Sequence, residues 1–102
     1  MISVAMTTYN GQSFLEKQLN SILSQTIKVD EIIVCDDGST DATHKILSKY
    51  ESTGVLKFQV NDSNLGFVRN FEKALSLCTG EYIFLADQDD IWYPNKVEVL
   101  IK

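Results

Sequence analysis

Apolar residues along the chain fall into four short runs, separated by stretches in which they recur at helical spacing. Residues 2–7, Ile-Ser-Val-Ala-Met-Thr, alternate strongly enough for a strand, and Tyr9-Asn10-Gly11 then signals a turn. Ser13 followed by Glu16 has capping-box spacing, and Leu15, Leu19, Ile22 and Leu23 repeat on one face, which predicts a helix over about 13–25. Ile32-Ile33-Val34-Cys35 is continuously apolar, as a strand covered on both faces should be. It stops at Asp36-Asp37-Gly38.

A second helix is marked by Asp41 in its first turn and by Ile46, Leu47 and Tyr50 on one side, ending before Gly54. Leu56, Phe58 and Val60 alternate with polar neighbours, which suits a half-exposed edge strand. Val68, Phe71, Leu75 and Cys78 mark the inner face of a third helix, closed by Gly80. Tyr82-Ile83-Phe84-Leu85-Ala86 is a fourth apolar strand, and Pro94 opens a last helix with Val97, Leu100 and Ile101 inward.

Strand then helix, four times over with no linker or repeat, predicts an α/β domain. Right-handed crossovers make it a three-layer parallel sheet, βαβαβαβα, most simply ordered 3-2-1-4 as in a mononucleotide-binding half. The final helical pattern is still apolar at Lys102, without a glycine or cap. The chain is therefore read as the N-terminal part of something larger.

At 102 residues there is room for one core and no second. Such a chain buries about 65% of its unfolded surface, enough for a modest core without staples. Cys35 and Cys78 sit in apolar stretches, and small buried hydrophobes in a reducing compartment account for them. The longest apolar run has five residues against the ~20 a membrane helix needs, and no signal pattern opens the chain. A soluble, cytoplasmic protein is expected. A net charge of −5 with a single arginine, Arg69, argues against nucleic acid as a partner.

The acids carry the chemistry. Of eight aspartates, six lie in two clusters, Asp36, Asp37 and Asp41, then Asp87, Asp89 and Asp90. In an open parallel sheet, ligands bind beyond the carboxyl ends of the strands where the strand order reverses. Under the order 3-2-1-4, three loops meet there: Thr7 to Gly11, Asp36 to Asp41, and Asp87 to Asp90. Two carboxylates ~4 Å apart repel by about 4 kcal/mol at an effective dielectric of ~20, so the last cluster is solvated, protonated or neutralised by a cation. Oxygen ligands at that density suit magnesium or manganese, with a phosphorylated ligand completing the coordination. Turn capping is the plainer alternative. For Asp36 and Asp37 the two readings are acceptance of a ribose or base N–H and capping of the following helix.

Four segments in order then carry a family resemblance: Met6-Thr7-Thr8-Tyr9-Asn10, Asp36-Asp37-Gly38-Ser39-Thr40-Asp41, Asn64-x-Gly66 with Asn70, and Ala86-Asp87-Gln88-Asp89-Asp90. Over essentially the whole chain, the sequence resembles family 2 glycosyltransferases of the A-type fold. The resemblance implies a nucleotide-sugar-binding part of a glycosyltransferase domain over residues 1–102. Thr7 and Tyr9 would line the nucleoside pocket, Asp37 would bond the base N–H, and Asp36 would support the pocket. Asp87 and Asp89 would form the Asp-x-Asp motif, with Asp89 the direct ligand of a divalent metal (Mn or Mg) and Asp87 nearer the ribose or the metal's water shell. Arg69 would sit at the edge of the donor site, unless it is simply a solvated helix residue. Implied partners are a UDP- or dTDP-linked sugar donor and a glycan or lipid-linked acceptor, as in polysaccharide biosynthesis, with peripheral membrane association of the full-length protein. The tail Asp87 to Trp92 is similar to the rhamnosyltransferase-like branch, which points to a dTDP-linked donor. Inverting members take the acceptor proton with a carboxylate from the second half of the domain. That base is expected outside this chain, so no catalytic residue is assigned within it.

Other residues invite plainer readings. His44, the single histidine, is expected at a solvent-facing or edge position. Trp92 either stacks on a sugar or anchors the last helix. Ser39 and Thr40 read as helix caps, and Lys45 and Lys49 as a solvated face. A dinucleotide-dependent oxidoreductase is disfavoured, because the first turn reads Tyr-Asn-Gly-Gln-Ser with no Gly-x-Gly-x-x-Gly. A receiver-like signalling domain would place acids after strands one and three, whereas here they follow strands two and four. A non-catalytic nucleotide-binding module remains the third reading.

Overall fold

A computed structural model describes residues 1–87 and 90–101. The elements are β1 (Ile2–Thr8), α1 (Leu15–Leu23), β2 (Glu31–Asp36), α2 (Thr43–Glu51), β3 (Lys57–Val60), α3 (Phe67–Leu77), β4 (Tyr82–Ala86) and α4 (Lys96–Ile101). All strand pairs are parallel and the order is β3-β2-β1-β4, as the alternation of elements predicts.

Position in the sheet decides which strand pattern is apolar throughout. All seven residues of β1 are buried, because it is central and covered on both faces. One face carries Ile2, Val4, Met6, Ile32 and Val34 against Leu15, Leu19 and Ile22 of α1, Leu47 of α2 and Val97 of α4. Each such aliphatic side chain contributes about 1.5–3 kcal/mol on burial. The other face is built from Ala5 and Cys35 against Ala74 of α3, small side chains that let this helix lie close. Edge strand β3 is largely exposed, as its alternation predicts.

Four details depart from the sequence pattern. Helix α1 starts two residues later than Ser13, and Phe14 at its N-cap makes no side-chain cap bond. The Gly11 carbonyl accepts the Phe14 and Leu15 N–H groups instead, at 3.1 and 2.9 Å. Helix α3 buries Asn70, Phe71 and Ala74 while Val68 and Leu75 face outward. The rotation brings the Asn70 amide onto the Cys35 carbonyl at 2.8 Å, satisfying a buried acceptor that an apolar side chain would strand. In β4, Tyr82, Ile83 and Leu85 are exposed, because α3 packs on β1 and β2 and β4 is an edge. Leu100 of α4 is exposed as well, leaving Val97 and Ile101 to meet the core. Among the described residues, no helix is long and apolar enough to cross a membrane.

Candidate functional site

Register brings the strand ends together. Thr8 pairs with Asp36 across β1 and β2, and Met6 pairs with Ala86 across β1 and β4, so the following loops open on one side of the sheet. A cleft of about 350 Å³ lies there, lined by Thr7, Thr8, Tyr9, Asp37, Asn64, Gly66, Phe67, Asn70 and Asp87. This is within the range of small-ligand pockets.

Asp36 stands behind the cleft wall. Its carboxylate is fully buried and accepts the Thr8 hydroxyl at 2.6 Å, the Ser39 hydroxyl at 2.6 Å and the Ser39 N–H at 2.8 Å. His44 Nε2 lies 2.7 Å from it, so the histidine is at an edge as expected but paired with an acid. Burial alone would raise the Asp36 pKa; the Ser39 and Thr8 hydroxyls, the Ser39 amide and His44 outweigh it and hold the carboxyl below its ordinary value. Ser39 is thus a brace for Asp36 rather than a helix cap, and it also accepts the Asn10 N–H at 2.8 Å. Asp41 precedes α2, accepting the Thr43 N–H at 2.9 Å, and Thr43 in turn accepts the Gly11 N–H at 2.9 Å. The loops after β1 and β2 are tied into one unit.

Asp37 lines the cleft yet is only 7% exposed. It accepts the Leu65 N–H at 2.7 Å, the Gly66 N–H at 3.0 Å and the Asn61 amide at 2.9 Å. Burial again pushes the pKa up, and the Leu65 amide, Asn61 and the Gly66 amide bring it below its usual value despite the neighbouring Asp36 charge. The Asn61 amide also donates to Asn70 at 2.8 Å, and Lys73 donates to Asn61 at 2.7 Å. Gly66 has φ +84°, a left-handed conformation that an L side chain would strain. That turn aims two successive N–H groups at one carboxylate. A carboxylate offers about four acceptor positions, so this harness leaves Asp37 capacity for a ligand N–H.

Thr7 and Tyr9 line the cleft as the sequence predicts, with Tyr9 about half exposed. Asp87, exposed, also lines the cleft, and its carbonyl accepts from the Gln18 amide and from the Asp90 N–H. Asp89 lies outside the described residues. Arg69 is exposed on the first turn of α3 and does not line the cleft. Trp92 is buried, 6.0 Å from the Phe84 ring and beneath the Lys96 ammonium at 4.5 Å, so it anchors the last helix. Asn64, Gly66, Phe67 and Asn70 join the cleft without having been assigned roles from the sequence; Asn-x-Gly was the available signal, a turn motif whose amides needed an acceptor.

Among the described residues, no three His, Cys, Asp or Glu side chains cluster as a metal site. A magnesium-type ion needs only one or two protein carboxylates when phosphate oxygens supply other ligands. Exposed Asp87 at the cleft wall, with oxygen-only chemistry around it, fits that arrangement.

Residues 3–102 match the family model described as Glycosyl transferase family 2. The chain is 34% identical over 102 residues to the Escherichia coli UDP-Glc:alpha-D-GlcNAc-diphosphoundecaprenol beta-1,3-glucosyltransferase WfgD, covering 99% of this chain and 40% of that protein. It is 33% identical to Escherichia coli chondroitin synthase over 101 residues, 99% of this chain and 15% of that one. Among solved structures it superposes on S. aureus TarS 1-349 in complex with UDP with a TM-score of 0.85 and 30% identity, covering 97% of this chain and 30% of that chain. The mannosyltransferase PcManGT from Pyrobaculum calidifontis, in complex with GDP-Man and Mn2+, matches with a TM-score of 0.84 and 27% identity over 99% of this chain and 32% of that one. The chain spans about a third of the length of the curated relatives it matches.

Proposed function

The chain belongs to glycosyl transferase family 2, and from that membership we propose that residues 1–102 form the donor-binding part of an enzyme transferring a sugar from a nucleoside diphosphate to an acceptor hydroxyl. The observation that carries this reading is that Asp37 after β2 and Asp87 after β4 line one cleft, together with Thr7 at the end of β1 and Tyr9 just beyond it. A receiver-like assignment has no such support, since the family match spans nearly the whole chain.

The roles follow from how each group is held. Asp37 keeps part of its acceptor capacity for a base N–H, which the pyrimidine of a UDP- or dTDP-linked donor offers. Tyr9 packs beside that base, Thr7 closes the pocket, and Asp36 acts from behind by fixing Thr8 and Ser39. Arg69, exposed on the first turn of α3 outside the cleft lining, would act on the acids or the diphosphate only from a distance. Asp87 and Asp89 hold a divalent cation, manganese or magnesium, and when bound the cation neutralises charge developing on the departing diphosphate. The acceptor oxygen attacks the anomeric carbon in a single inverting displacement while the nucleoside diphosphate leaves and the acceptor proton passes to a carboxylate base that these 102 residues do not supply. This chain's share is to bind and orient the donor. Structural neighbours solved in complex with UDP, and with GDP-Man and Mn2+, support the ligand class.

Titration of UDP and dTDP, with and without Mn2+, tests the reading. Metal should tighten nucleotide binding, and Asp89→Asn should abolish that gain. Equal affinity with and without metal, or a gain that survives in Asp89→Asn, would refute the metal assignment.

A further inference from the structure

Helix α1 carries a second, polar stripe beside its apolar one. Gln18 and Ser21 on the helix and Gln25 just past its end stand at i, i+3 and i+7, the spacing that keeps residues on one side of a helix. Both glutamines are buried, Gln18 completely. Each member of the stripe reads the backbone of the segment leaving β4. The Gln18 amide donates to the Asp87 carbonyl. Ser21 Oγ accepts the Trp92 N–H at 3.0 Å. The Gln25 amide donates to the Tyr93 carbonyl at 2.7 Å, and its oxygen accepts the Val97 N–H at 3.0 Å. Just beyond the helix, the Thr26 N–H donates to the Pro94 carbonyl at 2.8 Å.

Docking of residues 92–97 is secured by Ser21, Gln25 and Thr26. Gln18 does something else: it spends a buried amide on one carbonyl at the cleft wall. Its own oxygen, Oε1, is buried without a hydrogen-bond partner among the described residues. A leucine or methionine beside Leu15, Leu19 and Ile22 would fill the space without burying an unmet acceptor. An amide retained at that cost points to the loop it holds.

We propose that Gln18 is a positioning residue for the donor site: it sets the backbone at Asp87 so that this residue is presented to the cation and diphosphate. The inference rests on the donor-site reading above.

The test uses Gln18→Met, close in volume but without the amide, and Gln18→Glu, close in shape but without the N–H donor, should the first not fold. UDP is titrated with and without Mn2+, and amide shifts of Asp87 and Asp90 are recorded without ligand. Expected are displaced Asp87 and Asp90 amides and a loss of about tenfold in the Mn2+-dependent gain, as for other residues that orient metal ligands. Metal-free UDP affinity should stay within about twofold, and Gln18→Met should cost nothing further in an Asp89→Asn background. Equal weakening with and without metal would show a structural role only and overturn the proposal, as would an undiminished gain. If the unaltered protein shows no Mn2+-dependent gain, the donor-site reading fails, and the ligand-free amide shifts still decide whether Gln18 holds the loop.

Discussion

Replacing Asp37 by asparagine separates the harness around this residue from any ligand. The carboxylate accepts Leu65 and Asn61 on one oxygen and Gly66 on the other. Asparagine has a single acceptor oxygen, and keeping it on Leu65 and Asn61 turns an NH2 group toward the Gly66 N–H. One charge-assisted bond, worth about 1.5–3 kcal/mol, is lost outright. The two survivors fall to neutral strength, costing roughly 1 kcal/mol each. Asp37→Asn should therefore destabilise the fold by about 3.5–5 kcal/mol, a large share of the roughly 5–15 kcal/mol that holds a domain together. At ~4–8 °C per kcal/mol, the melting temperature should fall by about 14–40 °C. Urea unfolding followed by circular dichroism, with the slope m compared between variants, measures this directly. A loss below about 1 kcal/mol at unchanged m would refute the reasoning, because it would mean that the loop carrying Leu65 and Gly66 does not depend on the charge.

Two further outcomes follow from the same bonds. Asp36, Asp37, Asp41 and Glu31 all have lowered pKa values, so acid protonates these groups in the unfolded chain before it does so in the native one. Their stabilisation is complete above the unfolded carboxylate range of about pH 4–4.5 and is lost as pH falls through the lower native values; a melting temperature that held level or rose between pH 5 and about pH 2.5 would contradict this. Gly80→Ala should destabilise by about 1–3 kcal/mol in urea unfolding, because a Cβ there would lie 2.5 Å from Ser3 Oγ and 2.7 Å from the Met1 carbonyl, and a neutral outcome would show that the α3–β4 connection yields freely.

What the sequence reveals of this molecule is set by how local the cause is. The strand order and the convergence of Asp37 and Asp87 were legible because apolar runs ending in acids are local patterns, and parallel connectivity leaves few arrangements. The inner face of α3 was not, since Val68 and Leu75 fit a helical stripe as well as Ala74 does. Asn70 replaces them because a carbonyl 35 residues away, on Cys35, needs a donor. The pairing of His44 with Asp36 likewise depends on a turn that folds the chain back over eight residues. Ser13 and Glu16 matched a capping box by spacing alone, but the Gly11 carbonyl reached the helix start first. The harness on Asp37 was half visible: Asn64-x-Gly66 announced a turn without saying which acid it would enclose.

The acids at the strand ends differ most in solvation, and that difference orders their work. Asp36 has no exposed surface, and its bonds to Thr8, Ser39 and His44 join β1, the following loop and α2 into one frame. Asp37, one residue on, points the other way and spends much of its capacity on the β3–α3 turn. Asp87 is exposed, and its backbone carbonyl is gripped from behind by the Gln18 amide. A charge consumed by internal donors gives shape to a site, and a charge left facing water keeps its affinity for a cation or a phosphate-bearing ligand. On the proposed function, the cleft therefore runs from a fixed nucleoside end at Asp37 to an adjustable diphosphate end at Asp87, and the buried amide of Gln18 is the part of the fold that limits the adjustment.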